Sequence, residues 1–369
     1  MKISVITRHY VINYGSLLQT IATQTAILKL GHEAEIIDYV RYDEHFSRVE
    51  KANIKLKPQY NNNFLKKFLY LLVRGPENIY AGKKFLKERL KYLKLSKNYQ
   101  FFDELKNDTP IADVYLTGSD QVWGPMAAGE YDKAYFLNFI ECKKKISYAA
   151  SFGRIGNDIS LNIKSNFKKW LNDYKTILVR EKSAKDICDN LLIHSELVLD
   201  PTLLLTADEW KEILDIKESI IKEDYVLIYQ VHNDKKLDKY AKKFSKEKNY
   251  KLIRISPFFH QIIRGGKFIL CPSISNFVNI LSNAKCLITD SFHGTAFAIN
   301  FNVPFIEIMP NNNTGTRNKS ILELCHLTDR ILIDDSVMMD MNVDYSIANE
   351  YLRIERINSF KKLKDAIEK

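Results

Sequence analysis

The sequence predicts an α/β protein built from two parallel-sheet domains, and three observations carry that expectation. The chain has 369 residues, 46% of them hydrophobic, which is the length of roughly two domains with ordinary globular cores. It opens as strand, loop, helix, strand, the start of a doubly wound domain. Further along, short apolar runs alternate with helical patterns, which reads as a second parallel sheet.

The elements follow in order. Lys2–Thr7 is a near-continuous apolar strand, and Asn13-Tyr14-Gly15-Ser16-Leu17-Leu18-Gln19 enters a helical pattern that runs through Leu30 and closes at Gly31. Glu33–Val40 is a second strand. The loop between them holds one glycine, so it is neither a dinucleotide fingerprint nor a P-loop. Gly15 and a capping Ser16 could present N–H groups to an anion; a plain helix cap is the alternative.

Residues 41–110 are expected to form a helical insertion. Phe64–Val73 and Lys83–Leu95 have helical patterns in which lysines and arginines stand beside leucine, phenylalanine and tyrosine. Packing over the first domain is the favoured reading of this segment, and contact with a membrane surface through residues 64–97 is the other.

Asp113–Thr117 is a short strand leading into Gly118-Ser119-Asp120-Gln121-Val122-Trp123, and Ile146–Ala150 is another leading to Ser151-Phe152-Gly153. Two strand ends with small polar residues suggest one shared rim. Thr176–Val179 ends at Arg180-Glu181, and Glu196–Leu199 ends at Asp200-Pro201-Thr202. The pattern restarts with strands at Tyr225–Val231 and Lys251–Ser256 around a helix at Lys235–Lys248. The expected division is a first domain over 1–170, a second over 171–345, and a final helix over 346–369 that could pack back on the first.

The stretch with the most chemistry is Cys286–Asn300. Cys286–Thr289 is a buried strand, Asp290 and Ser291 are capping residues that lie with His293 in a tight turn, and the apolar positions continue as a helix from Ala296. In an open parallel sheet that is where ligands bind. Free N–H groups at a helix start attract phosphate or carboxylate, and the positive helix end biases an imidazole towards its neutral form. Gly294 would let backbone approach a ligand. Further on, Asn311–Lys319 is a polar loop that carries Arg317.

Composition narrows the function classes. The formal net charge is +10, and between Lys55 and Lys97 the only acids are Glu77 and Glu88. That balance suits acidic substrates or an anionic surface; no nucleic-acid module is present, and no nucleic-acid partner is expected. The five cysteines form no Cys-x-x-Cys pair, so neither a metal site nor a disulfide framework is indicated. No apolar run spans a membrane and the first residues lack a signal-peptide plan, so a cytoplasmic protein is expected, with contact at the inner membrane face the further option.

Taken together, the motifs at 13–19, 118–123, Ser147–Gly153, Val179–Ser183, Asp200–Thr202 and Thr289–Gly294 resemble those of the polysaccharide pyruvyl transferase family, in that family's order. Gly118–Trp123 and Thr289–Gly294 are the specific pair. The resemblance implies two Rossmann-like domains with an interdomain cleft, a fold similar to the GT-B glycosyltransferases. It implies transfer of a pyruvyl group from phosphoenolpyruvate to two hydroxyls of a glycan sugar, forming a ketal in capsule, exopolysaccharide or cell-wall glycan assembly. Phosphoenolpyruvate is then a co-substrate, with no further cofactor and no metal; the acceptor is a glycan, with a lipid-linked one as an option. On this reading His293 and Asp290 are catalytic, and Arg180, Arg317, Ser291 and Gly294 bind the donor. Asn13, Tyr14, Gly15, Ser119, Asp120 and Gln121 bind acceptor or donor. The alternatives are a GT-B glycosyltransferase using a sugar nucleotide, and a glycan-binding relative without catalysis.

Overall fold

The structure, a computed structural model, describes residues 1–141, 144–153, 155, 159–310 and 315–369. The chain divides into two units, the first comprising 1–204 and 357–369 and the second 205–356.

The first unit is organised on seven strands: β1 (Lys2–Ile6), β2 (Glu33–Tyr39), β3 (Leu95–Tyr99), β4 (Val114–Gly118), β5 (Lys144–Ala150), β6 (Thr176–Val179) and β7 (Glu196–Leu197). They form one parallel sheet in the order β3-β2-β1-β4-β5-β6-β7. Ile3, Val5 and Ile6 of β1 are wholly buried, as a strand covered on both faces must be, which is why β1 is so nearly apolar in sequence. Chain order reverses between β1 and β4, and such a switch point opens a crevice at the carboxyl ends of the two strands. The helix Tyr14–Lys29 that follows β1 is buried almost all round and closes, as its sequence predicts, at Gly31, whose φ of +80° suits glycine.

Two expectations about this unit change. β6 and β7 pair onto the first sheet, so the division falls at 204/205 rather than at 170/171. Strand–helix alternation reports parallel pairing but not which sheet a strand joins. The segment 41–110 is not an insertion: residues 40–94 are the crossover between β2 and β3, because Leu95–Tyr99 pairs with β2 as an edge strand. Its polar composition, half exposed at the sheet edge, conceals it from a search for apolar runs.

One helix, Phe64–Tyr92, replaces the two expected there, and it continues through Gly75 and Pro76. Proline removes one helical hydrogen bond and normally breaks the run. Here Glu50 fastens both sides of the break. Its carboxylate accepts from the Tyr70 hydroxyl at 2.5 Å and from Asn78 Nδ2 at 2.8 Å, and that same Nδ2 also donates to Arg74 O at 2.9 Å.

In the second unit β8 (Tyr225–Tyr229), β9 (Lys251–Ser256), β10 (Lys267–Leu270), β11 (Cys286–Thr289) and β12 (Phe305–Glu307) form a parallel sheet in the order β10-β9-β8-β11-β12. The same reversal recurs, between β8 and β11. The last helix, Ser346–Glu368, begins in this unit and ends in the first, where Ser359 Oγ accepts from Leu199 N at 3.0 Å and Lys144 Nζ donates to Ile367 O at 2.5 Å. Among the described residues no helix is long and apolar enough to cross a membrane.

Candidate functional site

In the first unit the motifs converge on the switch point. Asn13 caps the helix after β1, its Oδ1 accepting from Gly15 N at 2.8 Å and Ser16 N at 3.3 Å. The cap is therefore Asn13 rather than Ser16, and these two N–H groups are engaged by it, not offered to an anion. Ser16 instead reaches the loop after β4, where its hydroxyl donates to Asp120 Oδ2 at 2.6 Å. Gln19, one helical turn on, donates to Thr7 Oγ1 at 2.9 Å, and Thr7 Oγ1 donates to Ser119 O at 3.1 Å. Asp120 stands at φ +66°, a left-handed conformation that aspartate tolerates when its side chain bonds locally, and its Oδ1 accepts from Gln121 N at 2.8 Å.

A second chain of bonds runs on from Ser119. Its hydroxyl donates to Asp200 Oδ2 at 3.0 Å, which also receives Arg180 Nη1 at 2.9 Å. Arg180 Nε meets Glu181 Oε2 at 3.0 Å, and Glu181 Oε1 accepts from Ser151 Oγ at 2.5 Å. Asp200 Oδ1 accepts from the hydroxyl of Thr202 at 2.6 Å. Ser151 reaches Glu181 from the far side of an irregularity in β5, where Ala149 takes φ +51° and the register shifts between Ser147 and Ala150; such bulges re-aim side chains at strand ends. Trp123 lies beneath in an aromatic cluster, its Nε1 donating to Tyr135 O at 3.2 Å.

This network sets the surroundings of four of the expected site residues. Tyr14 is wholly buried and packs on Phe85 with ring centroids 5.1 Å apart, so it belongs to the core and not to a binding surface. Gly15 is engaged through its N–H by the Asn13 cap. Ser119 is buried and committed to Asp200. Arg180 is a first-unit residue, not one of the second, and is buried between two carboxylates that compensate its charge, an arrangement that braces the loops after β5 and β6. Asn13 and Gln121 remain part-exposed at the rim, as does Arg8, whose Nη2 holds Glu44 Oε1 at 2.7 Å. Arg8 stands two residues past the end of β1, and a lone arginine after a strand carries no motif that would mark it in the sequence.

In the second unit the stretch after β11 forms the expected strand, turn and helix. Ser291 is the N-cap of the helix Phe292–Asn300, and its Oγ accepts from Gly294 N at 3.3 Å. His293 is the second residue of that helix, largely buried, its ring edge-on to Phe292 at 5.2 Å. The Asp290 carboxylate accepts from Val231 N at 2.7 Å and His232 N at 3.0 Å, tying the exit loop of β8 to that of β11. Gly294 serves packing, since a Cβ there would come within 2.6 Å of Thr289 Oγ1 and 3.1 Å of Tyr229.

Two residues that the sequence left unmarked join this region. His232 follows β8, with Nδ1 3.5 Å from Asp290 Oδ2. Glu307, at the end of β12, is wholly buried; its Oε1 accepts from Asn318 Nδ2 at 2.6 Å and its Oε2 bonds to Thr295 Oγ1. Burial pushes the Glu307 carboxyl up to about 8, against the opposing pull of those two hydrogen bonds. Glu307 thus joins the His293 helix to the helix Gly315–Leu324, on which Arg317 sits buried. Residues 311–314 of the Arg317 loop lie outside the described residues. Among the described residues Cys188, Cys271, Cys286 and Cys325 are buried, and burial raises Cys188 to about 11 and both Cys286 and Cys325 to about 12, far from the reactive range.

Comparison with known proteins agrees with this arrangement. A family model described as polysaccharide pyruvyl transferase matches residues 13–313. The structure is similar to that of UDP-GlcNAc 2-epimerase from Methanocaldococcus jannaschii, with 14% identity and a TM-score of 0.50 over 98% of this chain and 100% of that one. It is also similar to the S. aureus MnaA-UDP co-structure, with 11% identity and a TM-score of 0.51 over 99% of this chain and 91% of that one. At these identities the likeness is one of fold, two Rossmann-like domains of the GT-B class. No curated protein sequence matches the chain. The family match covers well over half of the chain, from the Asn13 cap past the His293 helix, and the chain belongs to the polysaccharide pyruvyl transferase family.

Proposed function

We propose that the protein transfers the pyruvyl group of phosphoenolpyruvate to two hydroxyls of one sugar in a glycan, forming a cyclic ketal and releasing inorganic phosphate. Carbon C3 of the donor takes a proton, which makes C2 electrophilic. One sugar hydroxyl attacks C2, phosphate departs, and a second hydroxyl closes the ring. Of the two hydroxyl protons released, one balances the new methyl hydrogen and the other leaves with phosphate. No further cofactor enters this scheme.

The observation that carries the reading is the position of His293, in the first turn of a helix that starts at a switch point, within a chain of this family. Imidazole is the side chain suited to moving protons both ways near neutral pH, and helix-start N–H groups suit the donor's phosphate or carboxylate. Arg317 is the donor-binding guanidinium, with a planar fork matched to an oxyanion. Ser291 supports the helix start as its cap. In the first unit, Asn13 and Gln121, with Asp120, bind substrate hydroxyls. The setting is capsule, exopolysaccharide or cell-wall glycan assembly in the cytoplasm, with a lipid-linked acceptor reached at the inner membrane face.

The test is incubation with phosphoenolpyruvate and a panel of free and lipid-linked glycans. Glycan-dependent phosphate release, with a product heavier by about 70 Da as the mass balance of this reaction class requires, is the expected result. Consumption of a sugar nucleotide with no phosphate released from phosphoenolpyruvate would overturn the proposal in favour of glycosyl transfer.

A further inference from the structure

The helix Phe64–Tyr92 has two unlike halves. From Ala81 onward it is a packed element: Ala81, Gly82, Phe85 and Arg89 are buried, and Gly82 lies so close to the Phe46 ring that a Cβ would sit 2.3 Å from it. The first half is reversed. Phe64 is 85% exposed, and Leu65, Phe68, Leu69, Leu72 and Val73 are all exposed as well. Their spacing of i, i+1, i+4, i+5, i+8 and i+9 puts all six on one face. Ile79 and Tyr80, also exposed, extend the stripe to about 25 Å at the rise of an α-helix. Single exposed leucines need no explanation, but a contiguous apolar stripe of this size does.

The exposure is held in place by the fold. The opposite face of the same half is fastened by Glu50, which binds Tyr70 and Asn78 and lies 3.6 Å from Arg74 Nη2. Charge then narrows the occupant. Between Glu50 and Glu77 the chain has no acid, while Lys51, Lys55, Lys57, Lys66, Lys67 and Arg74 are all cationic. Lys83, Lys84 and Lys87 follow as exposed residues of the same helix, and the whole chain carries +10. A second copy of the chain docked on this stripe would bring like charges together. An anionic lipid surface would pair with them while taking up the apolar side chains.

We propose that the first half of the Phe64–Tyr92 helix lies flat on an anionic phospholipid surface, with Phe64, Phe68, Leu69 and Leu72 among the acyl chains and the flanking lysines at the headgroups. The attachment is reversible and weakened by salt, because screening acts over about 8 Å at physiological ionic strength. This inference does not rest on the pyruvyl-transfer reading and stands or falls separately.

The experiment is co-sedimentation of the full chain with vesicles of phosphatidylglycerol mixed into phosphatidylcholine, and of phosphatidylcholine alone. Binding to the anionic vesicles at low salt is expected, falling at least tenfold in high salt, in K66E/K67E and in F68E/L72E. Phe68 and Leu72 are exposed, so circular dichroism of F68E/L72E is expected to match the parent. Absence of binding by the parent chain, equal binding to phosphatidylcholine alone, or undiminished binding by folded F68E/L72E would each overturn the proposal. So would a concentration-dependent dimer in sedimentation velocity that F68E/L72E abolishes, which would make a second copy the occupant.

Discussion

The Ser119 hydroxyl donates to the Asp200 carboxylate at 3.0 Å, joining two motifs 81 residues apart. Because Asp200 also holds Arg180 and Thr202, it is the junction at which the loops after β4 and β6 and the turn after β7 become one rigid edge. Each of these motifs is weak in isolation. Their shared bond explains why they occur together.

Substitution at that junction should therefore be severe. D200A leaves Arg180 with one carboxylate in place of two and strands the Ser119 hydroxyl, and should cost roughly 3–5 kcal/mol, as breaking a buried ion pair does. S119A removes one bond and should cost about 1 kcal/mol. Urea unfolding of the two variants checks the ranking; equal losses would show that Asp200 is not the junction.

Replacing the imidazole tests the chemistry. H293A should lower turnover roughly 100-fold or more while leaving the circular dichroism unchanged, the effect expected for loss of a general acid/base. Turnover near that of the parent would remove His293 from the mechanism.

The two arginines should separate cleanly. R317K is expected to raise the KM for phosphoenolpyruvate about tenfold with little loss of Tm, since an ammonium cannot make the planar two-point contact. R180K should lower Tm, because its bonds go to Glu181 and Asp200. A raised donor KM in R180K with unchanged Tm would reverse these roles.

Glu307 should leave a signature in the pH dependence of stability. Thr295 Oγ1 donates to Glu307 Oε2 and Asn318 Nδ2 donates to Oε1; both bonds favour the carboxylate of Glu307, and burial outweighs them. Its folded value of about 8 lies above the ordinary 4.5, so the folded state holds the proton more tightly than the unfolded one. Its contribution is then complete below about 4.5 and is lost as pH rises through about 8. E307Q keeps the shape and cannot ionise. Between pH 5 and 8 the parent should lose stability relative to E307Q by on the order of 3 kcal/mol. Parallel curves of ΔG against pH for the two proteins would show that Glu307 is ionised throughout.

Much of the protein is determined by local sequence. The apolar run of β1, the alternation that makes both sheets parallel, the glycine stop at Gly31 and the strand–turn–helix that places His293 all follow from short-range patterns, because backbone geometry and burial act there over a few residues. Other features were decided only by tertiary structure. Which sheet β6 joins, and with it the division at 204/205, depends on pairing with a distant strand. The helix continues through Pro76 because Glu50 bonds across the break. Arg180 is spent on Asp200 and Tyr14 on Phe85, and neither partner is near in sequence. The outward apolar face at Phe64–Val73 has the periodicity of a packed helix, and only the fold shows that it is the other side that packs. Periodicity reports that a face is apolar; what covers that face is a property of the folded chain.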